Sequence, residues 1–142
     1  MNLFYTVSRR ELPMSSITLS SAAGGPTEVA IDQKALLARC SGNLHFAASL
    51  LSELELTGEQ SVREIAELAN SGDHQEVVRA AHGLKGAAAI MAAEPLRAVA
   101  AAIEEAGEFE TQDTIASLVA NLQQEMARCL EFARDFRERV MV

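Results

Sequence analysis

Between Asp73 and Ala93 the apolar positions fall at Val77, Ala81, Leu84, Ala88 and Met91, an unbroken alternation of four- and three-residue steps. That spacing predicts a single buried stripe on an amphipathic α-helix. Ser71-Gly72-Asp73 is a clean boundary before it. Gly72 suits the end of one helix, and Asp73 with Glu76 makes a capping-box-like start for the next.

The same pattern organises the rest of the chain. A short helix is expected from Asp32, a good N-cap, through Ala35, Leu36 and Leu37 to Cys40, with Ser41-Gly42 ending it. The next begins near Asn43. Its stripe of Leu44, Ala47, Leu51 and Leu54 resumes in phase at Ile65 and Leu68, which favours one long helix weakened at Thr57-Gly58. Pro95 sits just inside a further start. Leu96, Val99, Ala100 and Ile103 form that helix's buried face, and Gly107 is expected to stop it. A last long helix carries Ile115, Leu118, Leu122, Met126, Cys129, Ala133 and Phe136, with Val119, Leu130 and Val140 beside them. Short loops between consecutive amphipathic helices make them antiparallel neighbours. The expected fold is all-α, an up-down-up-down antiparallel four-helix bundle with a short preceding helix. Residues 28–142 form this domain, and residues 1–27, rich in Ser and turn formers, read as a flexible leader. Leu3, Phe4, Tyr5 and Val7 give the leader a few apolar side chains for packing. Ser8-Arg9-Arg10 is a weak match to a twin-arginine export signal, because the segment after it is too polar for an apolar signal core.

Composition narrows the function. A net charge of −8 and a pI near 4.8 argue against nucleic acid or an anionic membrane as partner. Cys40 and Cys129 are far apart and in no C-x-x-C pattern, so free thiols in a reducing compartment are expected. No apolar run approaches the ~18 residues of a membrane span, and a cytoplasmic chain is expected. No H-E-x-x-H, Cys/His cluster, Gly-rich phosphate loop or G-x-S-x-G occurs. The expectation is a protein without metal, cofactor or nucleotide-binding machinery of its own, and not an enzyme. His45 and His74, each in the first turn of a helix, carry no signal.

His82 is different. At about 100° per residue it projects ~140° from the centre of the buried stripe, so it faces water. Gln75, Val78, Arg79, Gly86 and Ala89 share its outer face, and Lys85 lies one turn on. No Asp or Glu lies three or four residues from His82, so nothing on its own helix orients the ring as a triad base. Arg79 and Lys85 put positive charge beside it instead. Two cations favour a neutral, nucleophilic imidazole and suit a bound phosphoryl dianion. Gly83 and Gly86 each cost a helix interior roughly 1 kcal/mol relative to Ala. Gly86 removes a side chain where a partner needs close approach. Other readings stand beside these. Lys85 could be a snorkelling surface lysine, Arg79 could pair with Gln75 or Glu76, and Val78 and Ala89 could flank the buried stripe.

His82-Gly83-Leu84-Lys85-Gly86-Ala87-Ala88, preceded by Arg79 and with Leu96 beyond it, resembles the signature of histidine phosphotransfer (HPt) domains of two-component phosphorelays. The resemblance runs from about Ile31 to the end. It implies that His82 is the phosphoacceptor, that Lys85 helps to hold the phosphoryl group, and that Gly86 clears space for a receiver domain. Gly83 stands where the family commonly has Ser or Thr, and Ala92 where it often has Gly. The second departure bears on the geometry at the helix end. The resemblance also implies the partners, a response-regulator receiver domain and a histidine kinase. A receiver would dock over the His82 face and bring its phosphoaspartate and Mg²⁺ in line with the ring nitrogen. A monomer is expected, and the Met start with a short tail after Phe136 suggests a free-standing chain. Two rivals are an adaptor that binds a receiver or kinase without carrying phosphate, and the substrate domain of a histidine kinase.

Overall fold

The computed structural model describes residues 28–140. The expected leader, including Ser8-Arg9-Arg10, lies outside them. Five helices run in order: α1 (Gln33–Arg39), α2 (Leu44–Asn70), α3 (His74–Ile90), α4 (Glu94–Phe109) and α5 (Gln112–Val140). Helices α2 to α5 form an antiparallel bundle in which α2 packs on α3 and α5, and α4 on α3 and α5. The short α1 lies against one end.

Side-chain caps start four of the helices, Thr111 accepting from the Thr114 N–H ahead of α5. Asp32 accepts from the Ala35 N–H, Asn43 from Phe46 and Asp73 from Glu76, each satisfying an amide that the helix leaves unpaired. Helices α1, α2 and α3 all end in Schellman turns, seen in the bonds from Gly42 to Leu37, Asp73 to Leu68 and Ala93 to Ala88. Each turn needs a residue with positive φ after the cap. Ser41, Gly72 and Ala92 fill that place, Ala92 at φ 58°. Two of the three therefore hold a side chain in the left-handed region.

The core matches the predicted stripes closely. Val77, Ala81, Leu84, Ala88 and Met91 of the histidine helix are all buried, as are Leu51, Ile65, Leu96, Ile103, Leu122, Met126 and Phe136. Several positions differ from expectation, and Leu68 and Val99, placed on the stripes, are only half-buried. Leu44 is exposed, because it is the first residue of α2 and stands beyond the reach of the other helices. On α5, Val119 is buried and Leu118 only half-buried, so the stripe steps from Ile115 through Val119 to Leu122. Gly107 does not stop α4, which continues to Phe109. It is buried instead, where a side chain would collide with Val78. Gly58 likewise leaves α2 continuous. A Cβ there would stand 2.8 Å from Met126 Sδ, so this glycine admits α5.

Helix α1 and the residue before it tie the bundle end together. The Asp32 N–H donates to the Ala92 carbonyl at 2.9 Å, and the Arg39 guanidinium donates to the carbonyls of Ala89 and Ile90 at the end of α3. A cation at a helix C-terminus is favourably placed against the helix dipole. Both cysteines are buried and free, and burial pushes the Cys129 thiol up to about 12. Among the described residues no helix is long and apolar enough to cross a membrane.

Candidate functional site

Helix α3 carries His82 on its outer face, between the buried Ala81 and Leu84, as the stripe requires. The imidazole is 68% exposed. A shallow groove between α3 and α4 brings it together with Gln75, Val78 and Arg79 from its own helix and Glu104, Gly107 and Glu108 from α4. Gln75, Arg79, Gly86 and Ala89 are exposed, whereas Val78 is half-buried against Gly107. Lys85, Gly86 and Ala89 continue along α3 beyond the groove. A Cβ on Gly83 or Gly86 would meet nothing within 4 Å, so no packing inside the described chain calls for either glycine.

The electrostatics differ from the sequence expectation. The group in direct contact with the ring is a carboxylate. His82 Nδ1 lies 2.7 Å from Glu104 Oε2, and Lys85 Nζ donates to Glu104 Oε1 at 2.6 Å. Arg79 is committed to Glu76 at 2.8 Å, one of the two roles its spacing leaves open. Each cation near the ring is therefore offset by an acid. The Lys85 ammonium first, and His82 second, hold the Glu104 carboxyl below the usual glutamate range.

Glu104 escapes the sequence pattern because helical spacing reports only on one helix at a time. A signal is present nonetheless. His82 and Glu104 lie equally far, eleven residues, on either side of Ala93 in the α3–α4 turn. In an antiparallel hairpin of helices, residues equidistant from the turn stand level. Glu104 also comes directly after Ile103, so it sits at the edge of the α4 stripe that faces α3.

His74 has a structural partner. Its Nε2 lies 3.2 Å from Gln112 Oε1, and the Gln112 amide donates to the Ala69 carbonyl, joining the starts of α3 and α5 to the end of α2. His45 is exposed. Among the described residues no group of three or more His, Cys, Asp or Glu is placed to hold a metal.

Chemically, this is an exposed imidazole on an open, gently concave surface, with a lysine and a carboxylate at its side and small residues along the helix. It has room for a protein surface and no enclosed pocket around the ring. Comparison with curated proteins and with solved structures finds no match. The family model described as Hpt domain matches residues 49–133, which takes in α3, α4 and most of α2 and α5. The chain therefore belongs to the Hpt family, the histidine phosphotransfer domains of two-component phosphorelays.

Proposed function

We propose that the chain is a phosphorelay intermediate that accepts a phosphoryl group on His82 from a receiver-domain aspartate and passes it to another receiver. The observation that carries this reading is the position of His82, an exposed imidazole on the matched domain with Lys85 one turn away. A receiver approaching along α3 would rest on Gln75, Val78, Arg79, Gly86 and Ala89. In-line displacement at phosphorus demands mainly position and charge stabilisation. The receiver supplies its phosphoaspartate and Mg²⁺. This chain supplies the nucleophile and Lys85, whose ammonium can reach a phosphoryl oxygen by exchanging its hold on Glu104.

The phosphotransfer unit is residues 28–142, preceded by the leader 1–27. It acts as a phosphocarrier without nucleotide-binding machinery, as a monomer, in the cytoplasm. A two-step relay tests this reading. The full chain is mixed with a phosphorylated receiver and then, after removal of that receiver, with a second one. Label appearing on the chain and then on the second receiver is the expected result. Receiver binding without label would select the adaptor role, and label arriving only from a kinase catalytic domain would select the kinase-substrate role.

A further inference from the structure

A second shallow groove opens on the other flank of α4, lined by Ala102, Glu105, Ala106, Phe109, Glu110 and Thr114. Phe109 is 80% exposed, more than any other large apolar side chain among the described residues. A bare ring beside two alanines is a surface on which apolar and aromatic side chains can rest. The rim is negative, since Glu105 and Glu110 make no ion pair among the described residues. The outer ridge of α4 separates this groove from the one at His82. Glu104 and Glu108 face the His82 side, Ala102 and Phe109 the α5 side, and Glu105 stands at the crest.

The chain itself contains a segment of matching chemistry. Leu3, Phe4, Tyr5 and Val7 are followed by Arg9 and Arg10. With Glu11 these leave residues 1–27 at +1, against −9 for the remainder of a chain whose total is −8. Position agrees with charge. Thr114, Leu118, Asn121, Glu125 and Arg128 follow one another in four- and three-residue steps, which is one face of α5. The groove lies at the Thr114 end of that face. At the other end the Arg128 guanidinium donates to the Glu28 carbonyl, where the described chain begins. Helix rise puts the two ends about 21 Å apart. Residues 11–27, with their serines and Gly24-Gly25, join Arg10 to Glu28, and a tether of that length has an average reach of about 21–25 Å. A tether whose reach matches the span gives the highest local concentration of what it carries.

We propose that this groove is the seat of the chain's own segment Leu3–Arg10, and that the seated segment screens His82 from receivers. Phe4 and Tyr5 rest on Phe109 and the alanines, while Arg9 and Arg10 pair with Glu105 and Glu110. Bulk on this flank stands over the crest that borders the His82 groove, so an incoming receiver has to displace it. Receiver affinity is then reduced by the fraction of chains in which the site is uncovered. The screening rests on the receiver-docking reading of the His82 face; the seat does not.

The test uses the full ¹⁵N-labelled chain with a nitroxide attached at Ser8→Cys, the native Cys40 and Cys129 being buried. The expected result is selective broadening of amides in residues 102–114. It should be lost in Arg9→Glu/Arg10→Glu, weakened in Phe109→Ser, and reduced at ~1 M salt, where charges are screened within about 3 Å. Without the nitroxide, titration with a receiver domain should give a dissociation constant on the order of three- to tenfold lower for both variants than for the wild type. Broadening centred elsewhere, or none, would overturn the seat. Broadening as strong when nitroxide and ¹⁵N are on different molecules would overturn it in favour of a neighbouring copy. A seated segment with receiver affinity unchanged in both variants would overturn the screening. A seated segment on a chain that binds no receiver, in wild type or variant, would instead overturn the receiver-docking reading, and the screening with it.

Discussion

Val78 and Gly107 meet so closely across the α3–α4 interface that no side chain fits at position 107. A Cβ there would stand 2.6 Å from Val78 Cγ2 and 3.5 Å from the His74 carbonyl oxygen. The glycine sets how near α4 can approach α3, and so how near Glu104 comes to His82. Gly107→Ala gains about 1 kcal/mol of helix propensity. Forced separation in a packed interface costs about 1–3 kcal/mol, and because the clash is with a β-branched side chain that is stiff at χ1 the loss should win. A lower denaturation midpoint is expected, with amide chemical-shift changes concentrated around His82 and Glu104.

Ala92 occupies the left-handed position of the turn that joins α3 to α4, at φ 58°. A non-glycine residue in this region is strained by roughly 1–2 kcal/mol. Glycine relieves that strain and gives back part of it through the greater freedom of the unfolded chain. Ala92→Gly is expected to raise stability by roughly 0.5–1 kcal/mol, read as an increase in the urea midpoint without a change in slope. Relay activity should be unaltered, because the carbonyl of residue 92 still accepts from Asp32.

Gly86 has open space where a side chain would be. Gly86→Gln should therefore leave the fold intact, and the helix propensity gained makes a small increase in melting temperature the expected outcome. Titration with a receiver domain is where the substitution should tell, as a dissociation constant raised on the order of tenfold. Unchanged receiver affinity would remove Gly86 from the docking face.

The acid side of the pH profile reports on Glu104. Lys85 and His82 hold its carboxyl below its ordinary value of 4.5. A carboxylate depressed by folding contributes stability above its unfolded pKa and loses that contribution as the pH falls through the folded one. The stability difference between wild type and Glu104→Gln is thus expected to persist from neutral pH down to about 4.5 and to shrink below it. A difference that persists undiminished toward pH 2 would mean that the charge of Glu104 contributes nothing.

Much of this molecule is readable from spacing alone, for a physical reason. Burial stripes and caps are local: Val77 to Met91 report one helix face, and Asp32, Asn43 and Asp73 each reach an amide three residues on. What the pattern misjudges depends on a second helix. Gly107 reads as a stop until Val78 is placed against it, and the weakness expected at Gly58 becomes a seat for Met126. Leu44 fits the stripe but stands at its open end. The surroundings of His82 mislead in the same way. Its own helix offers cations, while the group that touches the ring comes from α4. Ala92 stands out in the sequence only as a departure from a common glycine, since its strain arises from a backbone angle that composition does not reveal.

The most direct measurement of the central claim is the chemistry of the label taken up from a phosphorylated receiver. A phosphoryl group on an imidazole nitrogen is lost in acid and survives alkali, whereas serine and threonine phosphates survive acid. The account predicts label that is acid-labile and alkali-stable, mapped to His82, and absent from a folded His82→Gln variant. Acid-stable label, or label that persists in His82→Gln, would contradict it.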